Sequence, residues 1–148
     1  MLAGAPGSRK HARRGIFPGR QGNLRTMQTI LVVDDEPLIR WAVRQGLEAA
    51  GYAVVEAGTA REALAALSTD AGAVAVALLD VKLPDSDDLG LLRRVRRDAP
   101  GCRVIVMTAH GTPELLAEAM SAGAFATITK PFDLAGMMGL IRSAEAAA

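Results

Sequence analysis

Strand-length runs of apolar residues alternate with helical patterns from residue 28 onwards, and this alternation limits the fold more than any other feature. Three of the runs are continuously apolar, as expected of parallel strands covered by helices on both faces. The predicted strands cover 29–33, 52–55, 74–79, 104–107 and 125–128. Because parallel crossovers are right-handed, five such βα units predict a doubly wound α/β fold with a five-stranded parallel sheet.

Apolar residues between the strands recur at helical spacing, and turn residues mark the expected helix ends. The first helix has its apolar positions at Leu38, Ile39, Ala42, Val43 and Leu47. Pro37 and Pro113 suit a first helical turn, whereas Gly51 and Gly123 stand where helices should stop. A last helix is expected over about 132–143, since its apolar residues repeat every three to four positions.

Length and composition favour one compact domain, because 148 residues fit the usual domain size. No apolar run approaches the roughly 20 residues needed to span a bilayer. The single cysteine, Cys102, forms no internal disulfide and suits a reducing, cytoplasmic location. A chain of this kind is expected to be neither a membrane protein nor wholly disordered.

The net charge of +1 conceals an uneven distribution, because residues 1–26 contain six basic and no acidic residues. This segment is rich in Gly and Pro and lacks apolar periodicity, so we expect a disordered basic tail. Two interpretations remain open: the tail results from a start codon assigned too early, with Met27 the true start, or it is a functional basic arm. The folded domain is then expected over 27–148.

Polar residues follow four of the predicted strands, at the edge where ligands bind in open α/β sheets. They are Asp34 and Asp35 after the first strand, Asp80 after the third, Thr108 after the fourth and Lys130 after the fifth. A strand order of 2-1-3-4-5 brings them into one crevice. Clustered carboxylates repel unless a cation lies among them, and their hard oxygens suit Mg²⁺. The lysine and hydroxyl suit the oxygens of a transferred phosphoryl group.

This ordered set resembles the receiver domain of bacterial two-component response regulators, whose fold is a flavodoxin-like (βα)5 sheet. The resemblance covers 28–145 and therefore places the receiver domain within 27–148. The stretches 108–111 and 123–125 are most similar to receivers of enhancer-binding transcriptional regulators.

The resemblance implies a role for each site residue. Asp80 would accept a phosphoryl group from a histidine kinase or phosphotransfer protein. Asp35 and Asp80 would bind Mg²⁺ directly and Asp34 through water, with the backbone carbonyl of Lys82 as a further ligand. Thr108 and Lys130 would hold the phosphoryl oxygens, and the Lys130–Pro131 bond would be cis.

The resemblance also implies partners. Movement of the switch residues towards the new charge would remodel the surface of the fourth and fifth helices and the fifth strand, where an output protein binds. A phosphorylation-linked homodimer through this surface is a further expectation. The domain itself is expected to contact neither nucleic acid nor membrane, and to act as a phosphoryl acceptor and not as an enzyme.

Two positions depart from the family pattern. Thr127 stands where receivers usually carry the Tyr or Phe that reports phosphorylation, and nearby Phe125 is expected to be a core ring. Asp88 replaces a usual Gly, which predicts local strain. Lys82 and His110 lie where the family tunes dephosphorylation, although both are equally well explained as solvated loop side chains.

The alternatives belong to two classes. The missing aromatic at Thr127 suggests a degenerate receiver that binds a partner constitutively. A phosphatase of the haloacid dehalogenase type would need an aspartate two residues after Asp80, and that position is Lys82. Other features receive structural interpretations: Trp41 and the pair Met137–Met138 are expected to pack in the interior.

Overall fold

The structure is a computed structural model that describes residues 28–70, 73–86 and 89–147. The predicted basic tail over 1–26 and the predicted strain at Asp88 lie outside the described residues. Among the described helices, none is both long enough and apolar enough to cross a bilayer.

Five parallel strands form one sheet in the order β2-β1-β3-β4-β5, as the sequence predicts. The strands are β1 (Thr29–Val33), β2 (Ala53–Ala57), β3 (Val74–Asp80), β4 (Arg103–Thr108) and β5 (Ala126–Thr129). The helices are α1 (Pro37–Ala49), α2 (Ala60–Asp70), α3 (Gly90–Asp98), α4 (Pro113–Ser121) and α5 (Leu134–Ala147). The strand order reverses direction between β1 and β3, so ligands are expected beside these two strands.

Both faces of the sheet are buried, which explains the continuously apolar strands. In β1, Leu31 and Val33 face the cluster formed with α2, α3 and α4. Ile30 and Val32 face the opposite cluster, formed with α1 and α5. All four side chains are fully buried. Alternate residues of a strand point to opposite faces, so a strand covered on both sides must be apolar throughout.

The helices begin and end near the proline and glycine residues predicted from the sequence. Pro37 and Pro113 both lie in the first turn of their helices. The Thr112 side chain caps α4 by accepting a hydrogen bond from the backbone N–H of Leu115 at 3.1 Å. Gly51 and Gly123 have φ angles of 97° and 107°, the left-handed region in which glycine ends a helix without steric penalty.

The interpretation of α1 is wrong at three positions, because Leu38, Trp41 and Ala42 are all exposed. Leu38 is 78% exposed and Trp41 is 59% exposed, whereas Val43 and Leu47 are buried against the sheet. Leu38 and Trp41 share a face three residues apart, on the far side of the helix from the buried pair. Packing is confirmed for Met137 and Met138, which are buried on α5.

Candidate functional site

The carboxyl edge of the sheet brings the predicted polar residues together. Asp34 directly follows β1, Asp80 and Thr108 end β3 and β4, and Lys130 directly follows β5. Backbone hydrogen bonds extend the strand pairing into this edge. The Asp34 N–H donates to the carbonyl of Ala57 at 3.0 Å, and the Lys130 N–H donates to the carbonyl of Thr108 at 2.8 Å. Rigid strands therefore set the spacing of the site.

Lys130 lies between the two buried carboxylates. Its Nζ is 2.7 Å from Asp34 Oδ2 and 3.3 Å from Asp80 Oδ2, and Glu36 Oε1 lies farther away at 3.8 Å. The Lys130 side chain is only 12% exposed. Charges removed from water need partners, and the two carboxylates are the partners of this ammonium.

The electrostatics differ at the two groups. Burial raises the pKa of Asp80, and the neighbouring charge of Asp34 adds to this, although the charge of Lys130 opposes it. Burial alone would lower the pKa of Lys130, but its hydrogen bond to Asp34 and the charges of both carboxylates outweigh burial and raise it. The lysine therefore remains a fixed positive charge between the two carboxylates.

Three carboxylates suit a metal ion. Asp34, Asp35 and Asp80 each offer an oxygen, and these oxygens lie within 4.8 Å of one another. Asp35 is exposed, whereas the other two are buried, so the cluster opens to water on one side. Hard oxygen donors with room for retained water fit Mg²⁺, which takes few protein ligands.

Thr108 completes the site on the β4 side. Its side chain is buried and its Oγ1 accepts a hydrogen bond from the backbone N–H of His110 at 3.2 Å. An open cleft of about 540 Å³ is lined by Asp80, Lys82, Thr108, His110 and Lys130, among others. A ligand in this cleft would meet a carboxylate, a hydroxyl and an ammonium together.

Of the residues selected from the sequence, five line this cleft: Asp35, Asp80, Lys82, Thr108 and Lys130. Asp34 is fully buried beside it and contacts Lys130. Lys82 is exposed there, and its backbone N–H donates to Asp80 Oδ1 at 3.3 Å. The Lys130–Pro131 bond is cis, as expected. Thr127 lies in the middle of β5 opposite Val106, and Phe125 packs against the core cluster of α1 and α5, which confirms it as a core ring.

Sequence reasoning assigned no role to two charged residues beside the site. Glu36 donates its backbone N–H to Asp34 Oδ1 at 2.9 Å and approaches Lys130. Arg40 donates a hydrogen bond from Nη1 to the backbone carbonyl of Asp34. The only signal for either was its closeness in sequence to the acidic pair.

The fold and the site together define a doubly wound α/β domain with an acidic, lysine-bearing site at the switch point of its sheet. Residues 30–142 match the response regulator receiver domain family, and the chain belongs to this family. A receiver domain protein from Methanospirillum hungatei has a similar structure, with a TM-score of 0.78 and 33% identity over 82% of this chain and 96% of that one.

Full-length relatives point to the same subgroup as the sequence. The DNA-binding transcriptional regulator NtrC of Salmonella typhimurium is 35% identical over 115 residues, which are 78% of this chain and 24% of the relative. The C4-dicarboxylate transport transcriptional regulatory protein DctD of Rhizobium meliloti is 33% identical over 117 residues, 79% of this chain and 25% of the relative. The chain therefore spans about a quarter of the length of these relatives. Its membership of the two-component response regulators is confirmed.

Proposed function

We propose that this chain is a phosphorylatable receiver whose phosphoryl acceptor is Asp80. The observation that carries the proposal is the position of the Lys130 ammonium, which lies between the carboxylates of Asp34 and Asp80 inside an acidic cleft. A carboxylate that is ionised at neutral pH is a competent nucleophile when a positive charge is fixed beside it. The donor is a phosphohistidine of a histidine kinase or phosphotransfer protein.

The transfer is a displacement at phosphorus. An oxygen of Asp80 forms the new O–P bond as the P–N bond of the donor breaks, and the electron pair of that bond stays on the imidazole nitrogen. Lys130 and Thr108 bind the equatorial oxygens, since one already contacts Asp80 and the other lines the same cleft. The product is an acyl phosphate on Asp80.

Mg²⁺ fits the acidic side of this cleft. Asp34, Asp35, Asp80 and the backbone carbonyl of Lys82 would hold it, with Asp34 acting through water. When bound, Mg²⁺ supplies positive charge that stabilises the phosphoryl oxygens in the transition state. The chain's own contribution is to hold the carboxylates near one another before any ligand arrives.

Partners follow from this chemistry. The folded receiver is proposed to cover 27–148 in the cytoplasm, with a histidine kinase as donor and an output protein as target. Phosphorylation would remodel the face of α4, β5 and α5, where Met120 is exposed, and a phosphorylation-linked homodimer would use this face. Sedimentation of free and phosphorylated protein tests the dimer, and an unchanged mass would contradict it.

The test is phosphorylation by acetyl phosphate, with and without MgCl₂, followed by intact mass spectrometry. We expect the wild type to gain one phosphoryl group only with MgCl₂, and Asp80→Asn to gain none. Asp98→Asn is the matched control, because Asp98 is an exposed carboxylate at the far end of α3. It should be phosphorylated like the wild type.

Two results would overturn the proposal. An adduct that persists in Asp80→Asn would place the acceptor elsewhere. A wild-type protein that gains no adduct and binds no beryllofluoride in MgCl₂ would be a degenerate receiver whose unphosphorylated surface binds its partner.

A further inference from the structure

Arg40 lies in the first turn of α1 and links the acidic pair Asp34–Asp35 to β2. Its Nη1 donates a hydrogen bond to the backbone carbonyl of Asp34, and its Nε donates to Glu56 Oε1 at 3.1 Å. The Arg40 side chain is only 20% exposed. One planar guanidinium therefore holds a backbone atom of the site and a carboxylate of β2 at once, as its fork of donors allows.

The bond to the carbonyl completes the anchoring of the Asp34–Asp35 peptide. The preceding peptide is also held, because the backbone N–H of Asp34 donates to the carbonyl of Ala57 in β2 at 3.0 Å. Asp35 lies beyond the strand pairing and its side chain is exposed. The orientation of its carboxylate therefore depends on how firmly the preceding peptide is held.

The surroundings leave room for this guanidinium. A Cβ at position 58 would lie 3.0 Å from Arg40 Nη1, so the glycine there avoids a close contact. Glu56 is shared, because its Oε2 lies 2.7 Å from Nη1 of Arg44. Arg44 is more exposed than Arg40 and also pairs with Glu48 one turn further along α1. The two arginines thus share Glu56 but differ at the site.

We propose that Arg40 is a positioning residue that fixes the Asp34–Asp35 peptide and thereby strengthens Mg²⁺ binding. The inference rests on the proposed function. Its sign is distinctive: removing a positive charge beside a cation site should tighten cation binding by Coulomb's law. If Arg40 positions the ligands, its loss should weaken Mg²⁺ binding despite the favourable change in charge.

The experiment compares Arg40→Met with Arg44→Met in the full chain. MgCl₂ titrations followed by amide NMR give the dissociation constant for Mg²⁺, and urea unfolding gives the stability of each variant. Loss of a group that orients metal ligands typically weakens metal binding tenfold or more, so Arg40→Met should raise the dissociation constant about tenfold. Arg44→Met should stay within about twofold of the wild type, because it removes charge and the Glu56 pair but no contact to Asp34.

Each result has one meaning. If the wild type binds Mg²⁺ and Arg40→Met binds it equally or more tightly, the positioning role is wrong while the proposed function stands. If both arginine variants weaken binding equally, the effect comes from the Glu56 pairs and the inference is again wrong. If the wild type shows no response to MgCl₂, the proposed function itself fails.

Should urea unfolding show that Arg40→Met does not fold, Arg40→Lys replaces it. A lysine keeps the charge but presents one ammonium in place of the planar fork that spans Glu56 and Asp34. Weaker Mg²⁺ binding in Arg40→Lys would support the inference, and wild-type binding would contradict it.

Discussion

Asp34 and Asp80 are the buried carboxylates on the two acidic sides of the site, after β1 and at the end of β3. The hydrogen bonds that hold them differ in length. Asp34, after β1, accepts hydrogen bonds of 2.7 Å from Lys130 and 2.9 Å from the backbone N–H of Glu36. Asp80, at the end of β3, accepts its bonds from Lys130 and from the N–H of Lys82 at 3.3 Å each. The latter distances exceed the usual range of 2.7–3.2 Å. Asp34 is thus held firmly, whereas Asp80 is held loosely.

This difference fits the proposed roles. A group that reacts gains most when its interactions strengthen in the transition state, so weak ground-state contacts to Asp80 favour transfer. A group that helps to hold the metal without reacting gains from strong contacts before the reaction. The loop after Asp80 is nevertheless anchored, because Asp85 accepts hydrogen bonds from the N–H groups of Ala60 and Arg61 at the start of α2, at 2.8 and 3.0 Å.

The largest effect is expected from Lys130→Met, which removes the charge between the two sides. Asp34 would remain fully buried without its cation, and breaking a buried pair from one side costs about 3–5 kcal/mol. Urea unfolding should show this loss, and MgCl₂ should recover part of it. Lys82→Met is the control: Lys82 is exposed in the same cleft, so its loss should change stability by less than about 0.5 kcal/mol. Equal effects would mean that Lys130 is not the central charge.

A smaller effect of opposite sign is expected from Asp80→Asn. Burial raises the pKa of Asp80 in the folded state, so the folded protein binds this proton more tightly than the unfolded chain does. The contribution of Asp80 to the free energy of unfolding therefore falls as pH rises from the unfolded pKa of about 3.9 through the raised folded pKa. Asp80→Asn removes the penalty at neutral pH and should stabilise by about 0.5–2 kcal/mol.

The matched variant is Asp34→Asn, on the firmly held side. It weakens the 2.7 Å pair with Lys130, so it should destabilise where Asp80→Asn stabilises. Urea unfolding at pH 5 and pH 7 measures both variants. Two changes of the same sign would remove the distinction between the two sides of the cleft.

The fold was predictable because its signals are local. Continuous apolar runs predict β1, β3 and β4, and a strand order of 2-1-3-4-5 then brings the polar residues at the strand ends together. The extent of α5 was not predictable in the same way: it continues to Ala147, where Arg103 of β4 donates to the carbonyl of Ala147 and Tyr52 donates to Glu145. These contacts join residues far apart in sequence.

The sequence predicted that these polar residues lie together, but it did not predict the residues that support them. Asp34, Asp80 and Lys130 are recognised by chemistry and order along the chain. The role of Arg40 is visible only in the structure, where β2 places Glu56 beside it. The role of Asp85 is likewise visible only because α2 begins next to the loop that carries Asp85. Such supporting contacts depend on how whole helices and strands are placed relative to one another, and a single sequence does not predict that placement.

The smallest effect is expected from Asp85→Ala, which tests the anchor on the loosely held side. Hydrogen bonds from Ala60 and Arg61 hold the pKa of Asp85 below its usual range. The anchor therefore contributes stability above the unfolded pKa of about 3.9 and loses it as pH falls through the lowered folded pKa. Asp85→Ala should lower the thermal midpoint at pH 7 by less than Lys130→Met does, and the difference from wild type should shrink towards pH 3.

Asp85→Asn sharpens the same test. Asparagine retains an acceptor oxygen for the α2 N–H groups but does not titrate, so part of the stability should remain and its dependence on pH should disappear. A difference between wild type and Asp85→Ala that stays constant from pH 7 to pH 3 would show that the carboxylate charge is not what holds the loop. In that case the firmly and the loosely held carboxylates would differ only in the hydrogen bonds of Asp34 and Asp80 themselves. Backbone contacts would then have to hold the loop after Asp80 in place.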